Sequence, residues 1–345
     1  MIPFRNQPSG VRRTAKQSPA QKDRHIDPEK LATVTFKLED AGTALRLFDG
    51  GKTEKGSIHH LRIRAMGFKY SFNNWCYSSF PVWVPSYALE ETIKRIARIG
   101  YDAIEIGCAA PHAWPAHLNK AKRAAIKTLM ADQGIACSSM LPAPGGGPGN
   151  NPASLLPEER ASAIAHYKEV VDLAHDLGAP RVIYVAGWRS FGVDADEARG
   201  WSLAALIDIG KYAAGKGIIV TVEPTSADSN LIDTAGHALA LRRDSGLKNV
   251  SVMFDTYHAI YRNEVSSDYV YEMAPHLDHI HCADIDRKAP GEGIVDWHGV
   301  LQAARDINFK GYLTMEIAFA ARRVEPDRSA RSALTYLKSI EAQLK

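Results

Sequence analysis

The sequence predicts an α/β protein: a closed (β/α)8 barrel behind a polar N-terminal extension. Three observations carry that prediction. From about residue 66, short apolar runs alternate with segments of helical period, the runs number eight, and the last four each deliver a metal-capable residue at or next to their C-terminal end. Eight strand–helix repeats call for a closed parallel barrel rather than an open doubly wound sheet.

The apolar runs lie at 67–72, 103–106, 135–140, 181–185, 218–223, 250–255, 279–282 and 312–316. Helical segments at 88–99, 116–132, 157–177 and 194–215 stand between them. In the first, Leu89, Ile93, Ile96 and Ala97 recur at helical spacing with charges on the opposite face. Gly100 and Gly134 follow helices as stops.

Residues 1–60 differ from the rest. They are rich in Arg, Lys, Gln, Ser and Pro, and only 31–36 and 44–48 are apolar enough to order. The chain is therefore divided into an extension, 1–60, expected to be partly disordered, and a barrel, 61–345. The extension is suited to contact a partner or a neighbouring subunit.

The chain has 345 residues, 45% hydrophobic and 23% charged, which is ordinary for a soluble globular protein. Four cysteines (Cys76, Cys108, Cys137, Cys282) form no CxxC pair and read as reduced thiols in a cytoplasmic protein. No apolar run approaches the roughly 18 residues of a membrane span, and the N-terminus lacks a secretory signal. Residues 1–60 carry eleven Lys/Arg against seven Asp/Glu, so the remainder sits at −1 within a chain of +3. That body offers no overall basic field for nucleic acid.

In such barrels, chemistry gathers at the C-terminal ends of the strands. Strand five ends Thr221-Val222-Glu223-Pro224, and strand six ends Met253-Phe254-Asp255. Strand seven ends His279-Ile280-His281-Cys282, and strand eight ends Thr314-Met315-Glu316. One such residue alone reads as a helix cap or an ion-pair partner. Four on consecutive strands do not, since capping favours Asp, Ser or Thr over Glu and leaves His281 unexplained. Three carboxylates and one imidazole suit a single divalent ion, with manganese preferred and magnesium or cobalt as alternatives. No thiolate is present to make a structural zinc site. Such an ion stabilises the enediolate formed when a proton leaves a carbon next to a carbonyl. A carboxylate on each face of a sugar then removes and returns that proton.

The barrel resembles the xylose-isomerase-like TIM-barrel superfamily, and within it the ketose 3-epimerases and the fructoselysine 3-epimerase group. The resemblance rests on Glu223-Pro224, Asp255-Thr256-Tyr257-His258, His281 with Arg287 six residues later, 290–297 (PGEGIVDW), and Met315-Glu316. It implies that Glu223, Asp255, His281 and Glu316 bind the metal, and that Glu223 and Glu316 double as the acid/base pair. It also implies that His258 and Arg287 contact substrate oxygens. These epimerases place a second Glu about six residues beyond the first metal Glu. Here the loop is shorter and Asp228 stands nearest that role, which leaves sugar length and identity open.

The first half of the barrel supplies residues that shape the substrate pocket. Glu105 ends strand two and is followed by 108–114 (CAAPHAW), from which His112 can reach the site or, equally, order its own loop. Asn73, Asn74 and Trp75 follow strand one, and Trp188 follows strand four. The Gly/Pro-rich loop 141–151 reads as a lid or wall; it is no P-loop, since no Lys-Ser/Thr follows it.

The expected activity is metal-dependent isomerisation or epimerisation of a sugar, by a homo-oligomer. A second reading is the catalytic subunit of a C-glycoside deglycosidase, which this barrel also resembles. That enzyme would cleave 3-keto glycosides as a carbon–carbon lyase, in a hetero-oligomer with a small second subunit. A third, an endonuclease-like phosphodiesterase, would need more rim His and Glu and a basic groove.

Overall fold

This computed structural model describes residues 67–77, 87–142, 149–318 and 325–344. The extension and its boundary at 60/61 lie outside the described residues, as does most of the Gly/Pro-rich loop, at 143–148.

Alternation within the strands builds the barrel. In Val220/Val222, Val252/Phe254, Ile280/Cys282 and Leu313/Met315, one apolar set is buried in the layer shared with the helices. The residues between them, Thr221, Glu223, Asp255, His279, His281, Thr314 and Glu316, face the barrel axis, because successive side chains of a strand point to opposite faces. Eight strands result: β1 (Lys69–Asn73), β2 (Ala103–Cys108), β3 (Ala136–Pro142), β4 (Arg181–Val185), β5 (Ile219–Glu223), β6 (Val250–Asp255), β7 (Leu277–Cys282) and β8 (Tyr312–Met315). They pair in sequence order, all parallel, and β8 closes on β1. The expected (β/α)8 barrel is the observed fold.

Among the described residues, nine helices follow the strands: α1 (Leu89–Ile99), α2 (Lys120–Asp132), α3 (Pro157–Leu177), α4 (Ala195–Ala214), α5 (Ala235–Ser245), α6 (Thr256–Tyr261), α7 (Ser266–Met273), α8 (Trp297–Asp306) and α9 (Pro326–Glu341). Local chemistry sets their ends. Asn119, Asp194, Thr234 and Asp296 accept backbone N–H bonds as N-caps of α2, α4, α5 and α8. Gly100 closes α1 at φ 103°, a conformation a side chain resists. Leu89, Ile93 and Ile96 of α1 are buried, each such aliphatic side chain contributing about 1.5–3 kcal/mol. The segment expected as helix from 116 begins at Lys120; a short 3-10 turn, Pro115–His117, precedes it.

The four cysteines are buried and unpaired. Among the described residues no helix is long and apolar enough to cross a membrane.

Candidate metal centre

Register brings the four strand-end residues to one rim. Val185 pairs with Glu223, Asp255 with His281, and His281 with Thr314, two residues before Glu316. Glu223, Asp255, His281 and Glu316 each present a ligand atom within 4.8 Å of the others, and all four are buried. His281 Nδ1 stands 3.3 Å from Glu223 Oε1 and 3.1 Å from Glu316 Oε2.

Three buried carboxylates repel one another and have lost their water, so they need compensating positive charge. Arg287 supplies part of it. Its Nη1 donates to Glu316 Oε2 at 2.6 Å and to Asp255 Oδ2, and its Nη2 reaches Asp228 Oδ2 at 3.1 Å. The guanidinium also lies 4.4 Å from the Tyr257 ring centroid. The compensation is uneven. Burial pushes Asp255 up to about 7 despite Arg287. Burial also raises Glu223. On Glu316 burial acts upward too, but Arg287 and His281 outweigh it and hold that carboxyl at about 2.

Two buried atoms of this cluster, Glu223 Oε1 and His281 Nδ1, lack a well-aligned hydrogen bond. They face one another and the other carboxylates, so a cation between them would satisfy both. The donor set therefore fits a divalent ion.

His281 is held from behind by Glu105, whose Oε1 lies 2.9 Å from Nε2. Glu105 was expected to shape the substrate pocket. It is instead fully buried inside the barrel, bonded to Asn73, Ser139, His279 and His281. The only hint of this in the sequence is a carboxylate at the axis-facing position of an otherwise apolar strand.

His258, on α6, accepts the Ala227 N–H at Nδ1 (3.2 Å). Burial, then the nearby Arg287, pushes its pKa well down, so it is neutral. With Nδ1 accepting, the ring proton sits on Nε2, which lies 3.5 Å from Asp228 Oδ2 and 3.4 Å from Arg287 Nη2. Asp228 is thus part of the Arg287–His258 group, but its side chain is 60% exposed, at the outer edge of the site.

For His112 the sequence leaves two roles open, reaching the site or ordering its own loop. The Asn74 amide donates to its Nδ1 at 2.9 Å, and its Nε2 donates to the Tyr87 carbonyl at 2.6 Å. Both ring nitrogens are engaged within the protein, so the ring orders its loop. Asn74 also accepts the Gly107 N–H at 2.8 Å. A Cβ at Gly107 would fall 1.7 Å from the Trp75 indole nitrogen, so glycine is required for Trp75 to seat there. Trp75 packs on Leu141, Ile183 and Met253, an apolar group inside the barrel.

Trp188 is 42% exposed on the rim. Its backbone is gripped by Asn151, which accepts from its N–H at 3.0 Å and donates to its carbonyl at 2.8 Å. Asn230 grips Arg189 in the same two-handed way, at 2.8 and 3.1 Å. These two amides tie the loops after β3, β4 and β5 together.

The loop carrying Arg287 is wrapped around Asp284. That buried carboxylate accepts N–H bonds from Ile285, Gly291, Ile294, Val295 and the Trp297 indole. Asp286 and Arg287 both adopt φ 59°, a left-handed conformation that a side chain disfavours. The Asp284 bonds and the Ala318 N–H on the Arg287 carbonyl, 2.7 Å, hold that turn in place.

Comparison with known proteins identifies the family. The sequence profile of the xylose isomerase-like TIM barrel family matches residues 93–340. A D-psicose 3-epimerase of Agrobacterium fabrum is 30% identical over 65% of this chain and 77% of its own. A 3-dehydro-D-guloside 4-epimerase of Escherichia coli is 24% identical over 53% of this chain and 73% of its own. A crystal structure of D-psicose 3-epimerase in the presence of D-fructose shares the fold, with a TM-score of 0.68, 21% identity, and coverage of 79% of this chain and 99% of that one. The chain is an enzyme and belongs to the xylose isomerase-like TIM barrel family.

Proposed function

We propose that the chain is a divalent-metal-dependent sugar epimerase or isomerase that deprotonates a carbon next to a carbonyl. The observation that carries this reading is the convergence of Glu223, Asp255, His281 and Glu316 within 4.8 Å at the barrel mouth. These four would hold the ion, with manganese preferred and magnesium or cobalt as alternatives. Bound there, the ion would supply Lewis-acid stabilisation of the negative charge that develops next to the carbonyl.

Glu223 and Glu316 are the acid/base pair. They stand on strands three apart around the ring, so each carboxylate meets a different face of a bound sugar. One takes the proton from carbon and the other returns one to the opposite face, which inverts the centre. Arg287 and the Nε2 proton of His258 hold sugar oxygens, and Asp228 fixes the guanidinium from the outside. His112 positions Asn74 and the loop above β2 rather than touching substrate. In this reading the enzyme works in the cytoplasm as a homo-oligomer.

The test is solvent exchange. Manganese-loaded protein incubated in heavy water with a panel of ketohexoses and 3-keto glycosides incorporates deuterium beside the carbonyl of its substrate and yields the epimer. Glu223→Gln and Glu316→Gln each lower that rate about 10²–10⁴-fold. No exchange into any panel member sinks the reading.

A second reading, carbon–carbon cleavage of a 3-keto C-glycoside with a small second subunit, is favoured by the apolar rim. Leu155, Leu156, Trp188 and Phe191 are exposed on the loops after β3 and β4, and Trp188 would stack on an aglycone. The 3-dehydro-D-guloside relative is named for a glycoside, not a free sugar. Release of free aglycone in the same panel, and a small protein co-purifying with the chain, separate this reading from the first.

A further inference from the structure

We propose that Glu105 sets the tautomer of His281 and so presents Nδ1 as the metal-binding atom. Glu105 is then a positioning residue of the metal centre. The proposal rests on reading Glu223, Asp255, His281 and Glu316 as that centre.

Glu105 lies inside the barrel with no exposed surface, as do His279 and His281. A fully buried carboxylate must have all its lone pairs answered. Its Oε1 accepts from the Asn73 amide at 2.7 Å and stands 2.9 Å from His281 Nε2. Its Oε2 accepts from Ser139 Oγ at 2.5 Å and stands 3.1 Å from both His279 Nε2 and His281 Nε2. An ionised carboxylate is acceptor-only, so each imidazole must turn an N–H toward it. In the neutral ring that places the His281 proton on Nε2 and the lone pair on Nδ1. Nδ1 is the atom that faces Glu223 and Glu316. A metal-bound histidine is commonly oriented in this way by a carboxylate on its far nitrogen.

A competing occupant exists. Glu105, His279 and His281 are themselves close enough to hold a cation. The Asn73 amide argues against it, because its N–H₂ group points at the same carboxylate and would oppose a cation there. With Ser139 and two imidazoles added, the roughly four acceptor sites of the carboxylate are filled by protons. Glutamine at 105 has one acceptor oxygen and a donor amide. One histidine then loses its bond, and the amide favours the His281 tautomer whose proton blocks Nδ1.

The experiment is titration of the full chain with Mn²⁺, wild type against Glu105→Gln, counting ions and affinity. Ring-nitrogen NMR of the Mg²⁺-loaded wild type accompanies it, so the answer does not depend on the variant folding. The expected results are one Mn²⁺ per wild-type chain, about 10–100-fold weaker binding by the variant, and the His281 proton on Nε2. Unchanged affinity in the variant, or a proton on Nδ1, overturns the role of Glu105 alone. Two Mn²⁺ per wild-type chain also overturns it, since a cation then sits where protons are assigned. A wild type that binds no divalent ion overturns the metal centre itself, and this inference with it.

Discussion

Asp284→Asn tests whether the Arg287 loop is built around one buried carboxylate. Asp284 Oδ1 accepts from Ile285, Ile294 and Val295 at 3.2, 2.6 and 3.1 Å, and Oδ2 from Gly291 and the Trp297 indole at 3.2 and 2.9 Å. Asparagine keeps one oxygen and replaces the other with a donor. With the three-bond oxygen retained, the Gly291 and Trp297 bonds are lost and donor faces donor. Two charge-assisted bonds at about 1.5–3 kcal/mol each give a cost of about 3–6 kcal/mol. At about 2.1 cal/mol/K of unfolding entropy per residue, a chain of 345 residues loses about 1.4 °C per kcal/mol, so Tm falls on the order of 4–8 °C. The same release frees the left-handed turn at Asp286 and Arg287, so turnover falls along with stability. Thermal unfolding of both metal-free proteins, followed by circular dichroism, reads the effect. A variant Tm within about 2 °C of wild type refutes the argument, because the loss is then below about 1.5 kcal/mol, half the smallest value expected.

Gly293→Ala attacks the same cage from outside: its Cβ would fall 2.1 Å from Asp284 Oδ1, so a fall in Tm of comparable size is expected in the same assay. Arg287→Lys keeps the charge but loses the planar fork that spans Asp255, Glu316 and Asp228; with the substrate found by exchange, kcat/KM is expected to fall about 10–100-fold. Unchanged kinetics would remove Arg287 from substrate binding. His112 carries a pH prediction. Burial pushes its pKa below the ordinary 6.5, against the bond to the Tyr87 carbonyl. The unfolded chain therefore takes up a proton that the folded chain refuses, and stability falls as pH drops below about 6.5. Denaturant midpoints between pH 7 and 5 read this, and His112→Gln is expected to show a shallower fall than wild type. Equal slopes would show that His112 is not the group responsible.

Much of this was legible in the residues. Strand alternation with a period of two states which residue of each pair faces the axis, so Glu223, Asp255, His281 and Glu316 follow once eight strands are counted. Their convergence needs only the closure of the sheet. The strands expected at 181–185 and 250–255 are β4 and β6 to the residue, because apolar runs bounded by turn residues leave little choice of ends.

Glu105 and His112 are less legible, since the position of Glu105 toward the end of β2 and of His112 in the loop beyond it points toward the substrate as readily as toward the protein interior. Their partners come from elsewhere in the chain: Ser139, His279 and His281 for Glu105, and Asn74 and Tyr87 for His112. A hydrogen bond between residues 174 positions apart leaves no local trace, because neither residue type nor spacing records it.

The metal-capable set and the barrel were thus determined by the sequence alone, through periodicity and strand order. Tertiary structure decided which nitrogen of His281 faces that set, which carboxylate stands behind it, and how five N–H groups around Asp284 hold Arg287 at the rim. The physical reason is that a buried polar group must find its partner in space, and only the folded chain shows which groups are near enough.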